Sequence, residues 1–385
     1  MDFKLSKEHE MARKMFREFA ENELEPLAVE IDEEERFPWE SVEKFARYGM
    51  MGIPIPKKYG GAGGDNLMYC IAIEEISKKC ATSSVIVAAH TSLCMGPIMA
   101  FGTEEQKMKW IPDLASGRKI GAFGLTEPGA GTDASGQQTM AVKDGDEYVL
   151  NGTKCFITNG DTASTYVVFA VTDKTKGLKG ISLFVVEKGT PGFSTGLHEK
   201  KMGIRGSSTT DLIFEDCRIP AGNLIGKEGQ GWKICMHTLN GARAGVAAQA
   251  LGIGEGALDL AMKYVQERMQ FKKKLSKFQR TQFEIADMHT KLEAGKLLVY
   301  SAACKEDAYN KGDKTQNYAM DSAMAKLFCG EAASDVTRRC VQLFGGYGYI
   351  REYPMERMMR DAKITEIYEG TSQVQRMVIA GQVLR

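Results

Sequence analysis

Residues 166–186 read YVVFAVTDKTKGLKGISLFVV, and this stretch decides the fold class. Two mostly apolar runs, Tyr166–Val171 and Ile181–Val186, are separated by a polar connection that contains two glycines. Apolar runs of about six residues, rich in β-branched and aromatic side chains, are typical of buried strands. Because no helical pattern lies between the runs, the stretch predicts closely spaced strands of an antiparallel sheet.

The same pattern extends over residues 120–227. Shorter β-rich runs occur at Tyr148–Leu150 and Leu212–Phe214, and turn signals such as Asp144-Gly145 separate the runs. Asn151-Gly152 stands between two short runs and predicts a tight hairpin. We therefore expect a middle domain over residues 120–227 that is an antiparallel β-barrel or sandwich.

Helical patterns precede and follow this region. In residues 1–119, Thr103 and Gln106 form a capping box, which is a signature of a helix start. In residues 228–385, the alanine-rich stretch Ala319–Val336 predicts a closely packed helix. The order helical, β, helical predicts an α+β fold with three domains, whose boundaries fall at 119/120 and 227/228.

The composition excludes several classes of protein. The 385 residues carry 50 Lys+Arg and 50 Asp+Glu, so the chain lacks the basic surplus of a nucleic-acid binder. Its hydrophobic fraction of 43% is too high for a disordered chain. No apolar run approaches the roughly 18 residues of a membrane helix, and the first residues lack a signal or transit pattern. We therefore expect no nucleic-acid partner, no membrane and a cytoplasmic location.

The cysteines and histidines show no metal-binding or disulfide pattern. Nine cysteines are scattered without a C-x-x-C pair, and five histidines show no H-x-x-x-H spacing. We expect reduced thiols and no metal site.

Three stretches are candidates for chemistry: Gly124–Asp133, Phe344–Tyr349, and Ile367–Ser372, which places a glutamate before a glycine. Glycines permit close approach to a flat or phosphorylated ligand, and exposed N–H groups cradle anions. Taken singly, a glycine-rich loop is more often only a turn, and a lone glutamate is ordinarily solvated. Gly252–Ala257 matches G-x-G-x-x-A, but it follows a helical sequence, so we interpret it as a small-residue helix contact.

Together these stretches resemble the acyl-CoA dehydrogenase family over essentially the whole chain, and most closely its short-chain (butyryl-CoA) members. Each segment is a modest signal, whereas their joint occurrence in family order is highly specific. The matching segments are GAFGLTEPGAGTDASG (121–136), LNGTKCFITNG (150–160), KMGIRGS (201–207), ERMQFKKKLSKFQ (267–279), QLFGGYGY (342–349) and RMMRDAKITEIYEGTSQVQR (357–376).

The resemblance implies an FAD-dependent enzyme that converts a short-chain acyl-CoA thioester to the trans-2-enoyl-CoA, or catalyses the reverse reduction. It also implies a C-terminal domain that resembles a four-helix bundle. By similarity Glu369 is the base that takes the α-proton, while the β-hydrogen leaves as hydride to the flavin N5. An electron-transferring flavoprotein is the implied electron partner.

The family's binding residues carry over onto matching positions of this chain. The residues that resemble FAD contacts are Phe123, Leu125, Thr126, Thr132, Phe156, Thr158, Arg268, Phe278, Gln279, Gln342, Gly345, Gly346, Thr371 and Gln373. Those that resemble acyl-CoA contacts are Thr132, Ser207, Asn240, Arg243 and Gly370. Because some of the FAD contacts resemble contacts from a neighbouring subunit, a homotetramer is implied.

Three positions depart from the family pattern. Phe156 stands where tryptophan is frequent, and Asn240 where aspartate is usual, close to Arg243 in the sequence. Phe271-Lys272-Lys273-Lys274 replaces F-G-[KR]-P. The lysines either attract a phosphate of FAD or CoA, or form a solvated loop, as charge runs usually do.

Other functions stay open. The chain could be an aryl- or substituted propionyl-CoA dehydrogenase, including an acryloyl-CoA reductase. It could be an acyl-CoA oxidase, although the family's oxidases are usually considerably longer. It could also be a non-catalytic acyl-CoA-binding scaffold, against which the presence of Glu369 argues.

Overall fold

The computed structural model describes residues 4–384 and shows the predicted order of a helical block, a β block and a second helical block. The first block contains α1 (Lys7–Phe19), α2 (Ala28–Glu34), α3 (Trp39–Arg47), α4 (Asn66–Ser77), α5 (Ala81–Ala88), α6 (Gly96–Phe101) and α7 (Glu104–Ala115). The β block contains β1 (Gly121–Gly124), β2 (Met140–Asp144), β3 (Glu147–Thr158), β4 (Thr165–Val171), β5 (Ile181–Glu187), β6 (Phe193–Thr195), β7 (Thr209–Pro220) and β8 (Leu224–Ile225). The last block contains α8 (Gly231–Glu267), β9 (Met269–Gln270), β10 (Lys273–Lys274), α9 (Gln279–Asn310), α10 (Tyr318–Phe344), α11 (Gly346–Tyr349), α12 (Met355–Lys363) and α13 (Ser372–Val383).

The predicted domain boundaries fall in connections between these elements. The boundary at 119/120 lies between α7 and β1, and the boundary at 227/228 lies between β8 and α8. Both stay predictions.

Within residues 4–384, eight strands form one sheet in the order β6-β7-β3-β2-β4-β5-β8, with β1 paired to β4. The predicted strands β4 and β5 are antiparallel neighbours in this sheet, where Tyr166 lies opposite Val186. The pairings of β1 and β2 with β4 are parallel, so the sheet is mixed rather than purely antiparallel.

Both faces of β4 are covered, and this explains its uninterrupted apolar sequence. The side chains of Tyr166, Val168 and Ala170 belong to a core shared with α1, α4 and α8. Those of Val167 and Phe169 belong to a second core with α7 and the start of α8. Because successive side chains of a strand point to opposite faces, a strand packed on both faces is apolar throughout.

The predicted hairpin at Asn151-Gly152 is wrong. β3 continues through both residues and pairs with β7 on either side of them. Gly152 adopts a φ of 145° at a shift in register, which marks a β-bulge. The side chain of Asn151 accepts a hydrogen bond from the N–H of Asp216 at 2.8 Å, so it joins β3 to β7 instead of forming a turn.

The helical predictions are confirmed. Thr103 and Gln106 form the capping box at the start of α7, and α10 contains the alanine-rich stretch. Gly252 and Gly256 lie inside α8, where Gly252 faces the α4 backbone at Glu74 and Gly256 faces the backbone of Lys78, directly after α4. A Cβ on Gly252 would lie 3.0 Å from the carbonyl carbon of Glu74, so these glycines let α8 approach α4 closely.

The continuous helical stretch Ala81–Phe101 is long and apolar enough to cross a membrane, with a mean hydropathy of 1.6. Polar residues such as Ser83, Ser84 and His90 interrupt this stretch, so its apolar run is not apparent in the sequence. Of its most apolar window, 72% is buried inside the protein, as in a core helix.

The nine cysteines all lie in the described part of the chain and are free thiols, of which only Cys304 is exposed. Among residues 4–384, no cluster of three or more His, Cys, Asp or Glu side chains could hold a metal ion.

We expect Gly252→Ala to lower the stability of the protein by about 1–3 kcal/mol, because the added methyl group has no space against α4. The matched control is Gly381→Ala in α13, where a Cβ meets nothing within 4 Å. That variant should instead gain about 0.5–1 kcal/mol from helix propensity. Thermal unfolding of the two purified variants measures the difference. Equal or higher stability for Gly252→Ala would contradict the close contact of α8 with α4.

Candidate active site

Glu369 lies in a tight turn that leads into α13. It has a φ of 52°, and the following Gly370 has a φ of 95°. Thr371 then caps α13, because its hydroxyl accepts a hydrogen bond from the N–H of Val374 at 3.3 Å. A left-handed glutamate is strained by roughly 1–3 kcal/mol, and such strain clusters at functional sites.

One oxygen of the Glu369 carboxyl group lacks a hydrogen-bond partner among the described residues. This atom, Oε2, is buried. Burial raises the pKa of Glu369 to about 7, while the positive charges of Lys326 and Arg243 oppose that rise. A carboxyl with a pKa near neutrality can take up or release a proton in catalysis.

Side chains of α4 and α8 lie close enough to this carboxyl group to interact with its charge, namely Tyr69 and Arg243. The Tyr69 hydroxyl is buried, and a Cβ on Gly245 would lie 2.8 Å from it. The hydroxyl of Tyr368, next to the glutamate, donates to the side chain of Gln249. Arg243, predicted to contact acyl-CoA, is 3% exposed and donates to Asn240 at 2.8 Å. The structure therefore brings Asn240, Arg243 and Glu369 to one region.

Five of the predicted FAD residues lie on or directly after β1 and on β3: Phe123, Leu125, Thr126, Phe156 and Thr158. The N–H of Cys155 donates to the carbonyl of Thr126 at 2.8 Å, which joins the loop after β1 to the strand that carries Phe156 and Thr158. Phe123 packs against a small apolar cluster that includes Ala242, the neighbour of Arg243. The β surface and the region around Glu369 are therefore adjacent.

A buried ion pair under this loop was not predicted. Lys154 is fully buried, and its ammonium lies 2.7 Å from Glu127 and 3.2 Å from the carbonyl of Leu125. The same carboxylate accepts hydrogen bonds from the backbone N–H groups of Gln138 and Thr139. Although burial favours the neutral acid, the Lys154 ammonium and these donors keep the pKa of Glu127 below its usual value. The pair joins both ends of the loop.

A second buried lysine was also missed. Lys326 of α10 is 1% exposed and donates to the carbonyl of Gly370 at 2.6 Å. The sequence feature that could have indicated its burial is a single lysine in the alanine-rich sequence of this helix. Alone it indicates nothing, because most lysines in helices are solvated.

The other predicted FAD residues, from Arg268 to Gln373, lie on the C-terminal helical block. Arg268 follows α8, and its guanidinium lies 5.4 Å from the ring centroid of Tyr347, which follows the predicted Gly345 and Gly346. The structure therefore brings these residues together. The exposed members of the set are Arg268, Gln279, Gln342, Gly345, Gly346 and Gln373, and Phe278 is partly buried.

The three lysines of the Phe271–Lys274 segment are exposed: Lys272 lies in the turn of the β9–β10 hairpin, and Lys273 and Lys274 form β10. Lys272 adopts a φ of 62° at the position where the family has glycine. Lys273 lies 4.0 Å from the ring centroid of Phe278.

The remaining predicted residues are placed as follows. Thr132 is exposed on the glycine-rich loop. Ser207 is buried, and its hydroxyl has no hydrogen-bond partner among the described residues.

The residues fit a flavin dinucleotide. Phe156 is 64% exposed in a left-handed conformation, which presents an aromatic ring beside the Thr126 loop. Cβ atoms on Gly129 and Gly131 would meet nothing within 4 Å, so the loop leaves open space. An exposed arginine at position 268 suits a diphosphate.

Comparison with known proteins gives the same assignment over the whole chain. The N-terminal, middle and C-terminal domains of acyl-CoA dehydrogenase match residues 6–118, 122–217 and 229–384. A relative from Clostridium acetobutylicum, named "Acyl-CoA dehydrogenase, short-chain specific", is 59% identical over 100% of both chains. "Acryloyl-CoA reductase (NADH)" of Anaerotignum propionicum is 53% identical over 100% of this chain and 96% of its own.

Similar solved structures support the same family assignment. The butyryl-CoA dehydrogenase of Megasphaera elsdenii superimposes with a TM-score of 0.97 at 49% identity, over 100% of both chains. A chain from a structure titled as the electron transferring flavoprotein of Acidaminococcus fermentans has a TM-score of 0.97 at 53% identity, also over 100% of both chains. The fold, the domain matches and the full-length identities agree, and the chain belongs to the acyl-CoA dehydrogenase family.

Proposed function

We propose that this protein is an FAD-dependent dehydrogenase of short straight-chain acyl-CoA thioesters, with Glu369 as the catalytic base. The observation that carries the proposal is the buried, unpaired Oε2 atom of Glu369 on a strained turn, with two cations nearby. A carboxylate in this state is reactive because no hydrogen bond has to be broken before it accepts a proton.

The residues of the chain would act on the thioester as follows. The Glu369 carboxylate takes the α-proton, and the neighbouring Gly370 has no side chain to obstruct the thioester. Arg243 and Asn240 bind the CoA portion. FAD held against Phe123, Thr126 and Thr158 would supply the hydride acceptor, so that loss of the α-proton to Glu369 and of the β-hydrogen with its electron pair would leave a C=C bond. The same carboxyl, once protonated, can return its proton in the reverse reduction.

The short-chain relative supports the acyl length, and the 53%-identical acryloyl-CoA reductase supports short substrates in the reducing direction. Substituted propionyl groups remain the rival substrates. Neither the oxidase nor the scaffold is favoured by these relatives.

FAD would bind between two copies of the chain. Its ring would lie against Phe123, Leu125, Thr126, Phe156 and Thr158, with Thr132 close to both the ring and the substrate. Its diphosphate would meet the exposed set that includes Arg268 on a neighbouring copy, and Ser207 would contact CoA. Exposure of these polar groups in the single chain supports a homotetramer.

We further propose a cytoplasmic enzyme that exchanges electrons with an electron-transferring flavoprotein. The solved structure of the electron transferring flavoprotein of Acidaminococcus fermentans supports this partner, because a chain in it shares the fold at 53% identity.

The substrate is tested by anaerobic titration of the yellow holoenzyme with acyl-CoA thioesters from propionyl to octanoyl and with an aryl-propionyl thioester. We expect butyryl-CoA to bleach the flavin absorbance fastest. Faster bleaching by the aryl thioester would overturn the short straight-chain assignment, and rapid reoxidation by oxygen with peroxide formation would indicate an oxidase.

We expect Glu369→Gln to bind FAD normally and to reduce it about 10²- to 10⁴-fold more slowly with butyryl-CoA, because the base is lost. This corresponds to roughly 3–5 kcal/mol of barrier. Stopped-flow absorbance measures the rate, and the flavin spectrum before mixing shows whether the cofactor site is intact. Near-normal reduction by this variant would refute the assignment of the base.

Lys154→Met should be purified with substoichiometric FAD. The change leaves the Glu127 carboxylate buried without its cation, a loss of about 3–5 kcal/mol that loosens the loop after β1. The ratio of flavin to protein absorbance gives the occupancy. Lys176→Met is the control, since Lys176 lies in the same domain and pairs with Asp173 on the surface at 2.8 Å. Full occupancy in Lys154→Met would show that the buried pair does not support the cofactor site.

A further inference from the structure

The turn that carries Glu369 is held by two side chains from outside the turn itself. The Gly370 carbonyl accepts one hydrogen bond from Lys326 at 2.6 Å and another from Gln375 at 2.8 Å. The Gln375 amide also lies 3.4 Å from the carbonyl of Glu369. Both donors are buried, with exposures of 1% and 0%. Two consecutive left-handed residues persist only where the surroundings define them strongly, and these donors do so.

Burying a lysine ammonium in order to satisfy one backbone carbonyl is energetically unfavourable. Its ammonium loses hydration on burial, and a neutral donor such as Gln375 supplies the same kind of hydrogen bond at lower cost. Burial lowers the pKa of Lys326 to about 8, although the negative charge of Glu369 opposes that change. The cost of burying this charge indicates that the charge itself has a function.

The groups that face Glu369 explain what that function is. From α10 it faces Lys326, from α8 it faces Arg243, from α4 it faces Tyr69, and within its own segment it faces Tyr368. Burial holds the pKa of both phenols above their usual value, so they stay neutral. Only the two cations therefore stabilise the ionised carboxylate. Arg243 is already assigned to the CoA portion of the substrate, which leaves Lys326 free of that task.

We propose that Lys326 is a positioning residue. Its ammonium donates to the Gly370 carbonyl and so orients the adjacent Glu369 carboxylate towards the substrate, and its positive charge keeps that carboxylate ionised. The proposal rests on Glu369 being the base, as proposed above. Lys326 lies inside the 27-residue helix α10, more than two turns from its start, so the turn is held from a rigid element.

The test is the pH profile of flavin reduction by butyryl-CoA in single-turnover, anaerobic mixing. The base acts when deprotonated, so the rate of the wild-type enzyme should rise with pH through about 7. Removing the cation favours the neutral acid, so Lys326→Met should move the inflection up by about one pH unit or more. Its plateau rate should fall about 10- to 100-fold because the turn is less well held.

Further variants separate charge from packing. Lys326→Gln keeps a neutral donor and is expected to fold, yet it should show the same upward shift as Lys326→Met. Lys326→Arg keeps the charge and should return the inflection towards the wild-type value. Gln375→Leu removes a hydrogen bond but no charge, so it should lower the plateau without moving the inflection.

The matched control is Lys291→Met, which removes a lysine of α9 that pairs with Asp335 at 2.6 Å. It should leave the profile unchanged. A second readout does not depend on turnover: the infrared band of the protonated Glu369 carboxyl, identified by its loss in Glu369→Gln, should persist to higher pH in Lys326→Gln.

An inflection and infrared band in Lys326→Gln that match those of the wild type would overturn the positioning role. This outcome is distinct from failure of the proposed function. If Glu369→Gln still reduces flavin at a near-normal rate, the base is wrong whatever the Lys326 variants show.

Discussion

A carboxyl group that has to take a proton from carbon cannot be fully satisfied by its own protein. Glu369 meets this constraint, because its Oε2 atom is buried and has no hydrogen-bond partner among the described residues. An unpaired buried acceptor is unfavourable, and the left-handed backbone beneath it adds strain. The surrounding helices must therefore hold the turn, and α8, α10 and α13 do so through Gln249, Lys326 and Gln375.

The helix α8 connects the parts of this site. Its glycines permit close contact with α4, which brings Tyr69 against Gly245 and within reach of the charge of Glu369. Two residues before Gly245, Arg243 also interacts with the charge of Glu369, and Ala242 packs with Phe123 of β1. A single rigid helix thus aligns the base with the surface proposed for the flavin ring. The long sequence of small residues in α8 is a packing requirement rather than a nucleotide motif.

Two buried lysines stabilise the loops that carry the chemistry. Lys154 pairs with Glu127 under the glycine-rich loop, and Lys326 holds the turn at Gly370. In both cases an ammonium group from a regular element contacts a backbone carbonyl of an irregular segment. Glycine-rich loops have little side-chain packing of their own, so such contacts supply the order that the loops lack.

The order of the helical and β blocks, the buried strands β4 and β5, the helix contact at Gly252–Ala257 and the family could all be predicted from the sequence. These features depend on local periodicity and on motifs read along the chain. The tertiary structure alone decided that Asn151-Gly152 is a bulge, because its side-chain partner lies on a strand some 65 residues away in sequence. It also decided that Lys154 and Lys326 are buried. The burial of a polar side chain depends on which elements pack over it, and no periodicity in one sequence records that packing.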